Sequence, residues 1–143
     1  MAADSINFFT EDVLFTLSDP DQIKNWIEGV IKDHKKIVGD VNYIFCSDQY
    51  LHEINVSYLS HDTYTDIITF NQSTDELVIE ADIYISVDRV GENAATLNTG
   101  FAQEIKRVMI HGILHLLGFE DHTEKDKKTM RQKEDECLRM ITE

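Results

Sequence analysis

One proline, two cysteines and six glycines are all that the 143 residues hold of those types, and each scarcity excludes something. So little proline and glycine leaves no room for long linkers or low-complexity segments. The two cysteines, Cys46 and Cys137, fit no metal or redox spacing and read as reduced, partly buried thiols. No run approaches the ~18 apolar residues of a membrane span. Met1 to Thr10 lacks a basic region followed by an apolar run, so no secretory leader is expected and the expected compartment is cytoplasmic. Positive charge is short as well: 13 Lys and Arg against 27 Asp and Glu give a formal net charge of −14. A protein that holds nucleic acid by bulk charge is normally basic. An acidic body needs a local positive site, such as a metal ion, to handle phosphate.

What remains is ordinary for a globular chain, 42% hydrophobic and 28% charged. Residues 1–143 are expected to form one domain with a real core. Ile6–Phe9 and Val13–Leu17 carry strand formers around a polar corner, which suggests an opening strand or hairpin. Ser18-Asp19-Pro20-Asp21 reads as a helix start with a capping side chain, and Ile23, Trp26, Ile27, Val30 and Ile31 give that helix one apolar face. Gly39 closes the unit. Val41–Cys46 reads as a strand, Ser47-Asp48 as the cap of a helix to about Tyr58, and Leu59–Thr65 as a polar loop. Ile67–Phe70 and Leu77–Ser86 read as strands, Asp88–Leu97 as a short helix broken by Asn98–Gly100. Phe101–Leu117 is the strongest helix, closed by Gly118, and Thr123 caps a last helix from Glu124 to Ile141. The order implies an α+β domain, a mixed sheet of about four strands packed with about five helices.

The segment from His111 to His122 speaks about function. His111 and His115 stand four apart, so both imidazoles lie on one helix face and can grip one divalent ion. Such a pair on its own is common on solvated helix faces. Here Ile110, Ile113, Leu114, Leu116 and Leu117 make the helix apolar nearly all round. Gly118 then lets the chain reverse, bringing Asp121 and His122 back toward the histidines. A catalytic zinc site takes three protein ligands and keeps one position open, so either residue can complete the set. In the His-Glu-x-x-His proteases a glutamate beside the first histidine is the general base. Gly112 stands in its place, which argues against peptide hydrolysis by that route.

These residues resemble a known family. HGILHLLG followed by FEDH is similar to the signature of the YbeY family, bacterial metal-dependent single-strand endoribonucleases of ribosomal RNA maturation and ribosome quality control. Asn55, Tyr58, Asp62, Thr65 and Asp66, running into Ile67-Ile68-Thr69-Phe70, resemble a second family block, and Ala81-Asp82-Ile83-Tyr84-Ile85-Ser86 a third. The resemblance implies a bound Zn2+, single-stranded RNA and ribosomal RNA as substrate, and the ribosome or a ribosome-associated protein as partner, with no membrane and no DNA. Aligned without insertion, the family's third histidine falls on Asp121, which favours Asp121 over His122 as third ligand. The family's arginine after the tyrosine is Leu59 here, and its proline before Thr65 is Tyr64. Arg107, one turn before His111, is the nearest cation in sequence to take that arginine's catalytic place at a phosphate; otherwise it is a solvated helix charge. Thr65 and Asp66 read either as a turn-forming pair that satisfies nearby backbone amides or as residues that shape the substrate groove. Asp82, a carboxylate in an apolar strand, needs a partner, and a ligand histidine is one candidate. His34, His52 and His61 read as surface or partly packed residues, and Glu124 to Glu136 as an exposed face. The other readings are a metal hydrolase of another substrate class, peptidases included, and a non-catalytic ribosome maturation factor with a structural metal.

Overall fold

The computed structural model describes residues 6–141; the opening residues read above for a leader lie partly outside them. The elements run β1 (Ile6–Thr10), α1 (Pro20–Asp33), β2 (Ile37–Cys46), α2 (Asp48–Leu59), β3 (Ile67–Asn71), β4 (Val78–Ser86), α3 (Val87–Thr96), α4 (Phe101–Leu116) and α5 (Glu124–Ile141). Four strands in the order β1-β2-β4-β3 make one mixed sheet, with β1, β2 and β4 parallel and β3 antiparallel to β4. The α+β architecture is as the sequence implied. Among the described residues no helix is long and apolar enough to cross a membrane.

Alternation along the strands decides what each helix covers. Val41, Tyr43 and Phe45 of β2, with Ile79, Ala81, Ile83 and Ile85 of β4, join the main core with α1, α4 and α5. The opposite face is covered by α2, where Cys46, Leu51 and Ile68 pack with Tyr50, Ile54, Phe70 and Tyr84. Helix α4 lies centrally: Val108, Met109, Ile110, Ile113 and Leu114 are buried, and the Tyr43 hydroxyl donates to the Met109 carbonyl at 3.0 Å. Each such fully buried side chain contributes on the order of 1.5–3 kcal/mol, so the helix that carries the histidines is firmly seated.

Three local readings need correction. Val13–Leu17 is not a strand, and β1 pairs in parallel with β2 instead of opening a hairpin. The cap of α1 is Asp19 in a left-handed conformation, with no side-chain cap bond. Gly39 lies inside β2 and does not close α1. A Cβ there would meet Glu80 Cγ at 2.6 Å and Val78 Cγ1 at 2.8 Å, so the close approach of β4 requires glycine. By contrast Ser47 caps α2, accepting from the Tyr50 amide, and Thr123 accepts from the Asp126 amide at the start of α5.

Candidate metal centre

Burying one side of α4 against the sheet leaves His111 and His115 at the rim of a groove, their rings 4.8 Å apart and nearly perpendicular. The helix ends through Gly118 at φ 108°, with the Gly118 amide on the His115 carbonyl and the Phe119 amide on the Leu114 carbonyl, each at 3.0 Å. That left-handed closure reverses the chain. It returns Asp121, whose Oδ2 stands 3.4 Å from His111 Nε2 and whose Oδ1 stands 3.5 Å from His115 Nε2. His111, His115 and Asp121 place one donor atom each within 4.8 Å of one another. Zinc bonds of ~2.0–2.2 Å at the tetrahedral angle set neighbouring donors roughly 3.3–3.6 Å apart. The two histidine–aspartate approaches match that separation, and two imidazoles with one carboxylate are a donor set that zinc takes. His122 lines the same groove, but its ring is 77% exposed and lies 3.1 Å from Glu120.

The sequence reading missed the residue that aims His111. Glu134 of α5, buried, sets Oε2 2.7 Å from His111 Nδ1, while its Oε1 accepts from Arg107 at 2.9 Å. A carboxylate on Nδ1 holds the proton there and leaves the Nε2 lone pair facing Asp121 and His115. Burial of the His111 ring works against its charge, yet the hydrogen bond and charge of Glu134, then Asp121 and Asp66, hold it more basic than an ordinary histidine. The stretch from Glu124 to Glu136 is therefore not a wholly exposed face. The second arm of Arg107 donates to Asp135 at 2.8 Å. With both arms on carboxylates and little of the side chain exposed, Arg107 is directed to α5, outside the residues lining the groove. Asp82, the candidate acceptor, faces the other side of the sheet and accepts from Asn42 Nδ2 at 3.0 Å.

The groove encloses about 770 Å³ between the histidine rim, β3 and the loop after α2. Thr65 and Asp66 both line it. Thr65 Oγ1 donates to the Ile67 carbonyl, and Asp66 Oδ2 accepts from Asn93 Nδ2 at 3.2 Å, tying the groove floor to α3. Burial pushes the Asp66 carboxyl up, opposed by the charge of His111. Gly112 presses against the sheet: a Cβ would meet Ile67 Cδ1 at 3.1 Å and Thr69 Oγ1 at 3.2 Å. A glutamate there would be driven into the core of the sheet.

Behind His111 a smaller cavity of about 320 Å³ is lined by Glu104, Arg107, Arg131 and Glu134 among others. Burial raises the pKa of Glu104, with Arg107 pulling it down and Asp66 pushing it up. A carboxyl raised on folding costs stability once it ionises, so the cost is absent in acid and complete above the raised value. Glu104→Gln is therefore expected to raise Tm by a few degrees at neutral pH, a gain that fades as pH falls into the carboxylate range. Thermal melts across that range check it, and a gain independent of pH would assign the effect to packing.

The family model described as Endoribonuclease YbeY matches residues 8–142. An Endoribonuclease YbeY of Christiangramia forsetii is 51% identical over 141 residues, covering 99% of this chain and 97% of that protein. That of Flavobacterium johnsoniae is 46% identical, covering 96% of each. A solution structure from Thermotoga maritima aligns with a TM-score of 0.66 at 29% identity, covering 95% of this chain and 88% of that one.

Proposed function

This chain belongs to the YbeY endoribonuclease family, and from that premise we propose that it is a metal-dependent enzyme cutting single-stranded RNA in ribosomal RNA maturation. It is an endoribonuclease, hence a hydrolase acting on RNA. The observation that carries the metal is the convergence of His111 Nε2, His115 Nε2 and Asp121 on one point of an open groove. Two imidazoles and a carboxylate are a zinc set, and Zn2+ is the ion proposed. A divalent ion held there supplies positive charge at the scissile phosphodiester and a more acidic water.

The chain's own residues do the rest. Glu134 keeps the His111 proton on Nδ1, Asp121 brings the only carboxylate of the donor set, and Thr65 and Asp66 form the floor along which a strand would lie. A recessed floor admits a flexible single strand more readily than a duplex, whose backbone is stiff and already paired. Arg107 acts in this reading through Glu134, as a positioning residue. The chain works as one domain, in the cytoplasm, with the ribosome or a protein on it as partner; such a partner delivers RNA that an acidic body would not attract.

Metal-loaded protein incubated with labelled RNA and with casein, each with and without chelator, tests this. Slow cleavage of single-stranded RNA, stopped by chelator, with casein intact, is the expected result. Binding of free RNA should be weak and should fall as salt rises. Casein digestion with RNA left whole would overturn the reading in favour of a peptidase.

A further inference from the structure

Among the described residues, the groove that must receive a phosphodiester is lined by no lysine and no arginine. Its nitrogen bases are His61, His111, His115 and His122. The second and third are the metal donors proposed above, and His122 is held near Glu120. His61 is the remaining one, and among the described residues its ring has neither an ion-pair nor a hydrogen-bond partner. Its position is built: Ser60 turns the chain at φ 58°, and the His61 amide donates to the Asn55 carbonyl at 3.1 Å. Asn55, itself buried, also donates through Nδ2 to the Thr63 carbonyl at 2.8 Å, so one side chain and its own carbonyl clamp both sides of the loop. The neighbouring acid is drawn off, because Asp62 pairs with His52 at 2.9 Å. Tyr64 stacks on that His52 ring at 4.2 Å, which fixes the pair beside the loop.

We propose that His61 is the phosphate-contacting residue of the groove, its ring N–H donating to a non-bridging oxygen of the bound RNA strand. The proposal rests on the endoribonuclease reading and extends it to a residue that sequence alone left as surface or partly packed. The titratable groups that share the groove with it are Asp66 on the floor and His111, His115, Asp121 and His122 across it, with Asp62 and Tyr64 on its own loop and His52 on α2.

The test uses metal-loaded protein, with metal content measured in every sample, and a 2′-O-methyl single-stranded oligonucleotide of about ten nucleotides as probe. His61→Ala should bind it about tenfold more weakly than wild type, the size of one lost hydrogen bond to a charged group. KM for cleavable RNA should rise by the same factor. His61→Arg brings a fixed charge and several N–H donors to the same place and should bind at least as tightly as wild type. Wild-type affinity in His61→Ala, or affinity in His61→Arg as low as in His61→Ala, would overturn the assignment. A wild-type protein that neither binds nor cuts RNA would bring down the endoribonuclease reading and this inference with it. That outcome is distinct from an active enzyme indifferent to residue 61.

Discussion

A protein carrying both His111→Ala and His115→Ala is expected to purify with almost no metal and to lose RNA cleavage by more than about a hundredfold. The wild type should carry about one zinc-like ion per chain, stripped by chelator with a fall in Tm, because an ion bound only by the folded state stabilises it. Within the donor set the ranking is sharper still. Asp121→Ala removes the carboxylate that stands 3.4 Å and 3.5 Å from the two Nε2 atoms, and metal affinity should drop steeply. His122→Ala removes a ring that is 77% exposed, and should hold metal within about threefold of wild type. Metal analysis and circular dichroism on the four proteins decide it. Unchanged zinc in the double variant would refute the site, and a reversed order of Asp121 and His122 would move its third ligand.

The ion also answers the charge problem. A chain of net charge −14 repels RNA at long range. Two neutral imidazoles and one carboxylate around a divalent ion would leave a net positive point in the groove, and Asp66 on its floor is engaged by Asn93. Glu134 is shared by His111 and Arg107, and Asp135 by Arg107. Attraction is thereby confined to the place of cleavage.

The grouping of His111, His115 and Asp121 was legible because it is local: helical spacing fixes His111 over His115, and a glycine closure limits how far Asp121 can travel. Glu134 lies thirteen residues beyond Asp121 in a stretch of mixed charge, and its role depends on how α5 crosses α4. A signal did exist. Met130, Cys137, Leu138 and Ile141 form the buried stripe of α5, and Glu134 stands on that stripe. A carboxylate on a buried stripe needs a partner. Asp82 carried the opposite lesson. Its neighbours Ala81, Ile83 and Ile85 face the main core, so strand alternation turns Asp82 away from the histidines. The whole-sheet pairing was beyond local pattern: nothing near Ile6 says that β1 lies parallel to β2, since that contact is set by the intervening helix and the core it closes.

Glu134 carries the last large effect. Its side chain is 6% exposed, and its two oxygens divide between His111 Nδ1 and Arg107. Glu134→Gln keeps the shape and one acceptor oxygen but removes the charge that orients and polarises the ligand ring. Loss of such a partner behind a ligand histidine costs about 10–100-fold in metal affinity, and cleavage at limiting metal should fall with it. Glu134→Ala leaves Arg107 half paired in a buried place. Because Asp135 still holds its other arm, the loss should be about 2–3 kcal/mol, roughly a 6–10 °C fall in Tm for a chain of this size. Comparing the two separates the roles. If Glu134 orients the ligand, Gln stays well folded yet binds zinc weakly, and saturating zinc restores much of its cleavage. If it is only a brace between α4 and α5, Gln binds zinc as wild type does and only Ala is impaired, through stability. Isothermal titration with zinc, run beside thermal melts of the metal-free proteins, distinguishes the two.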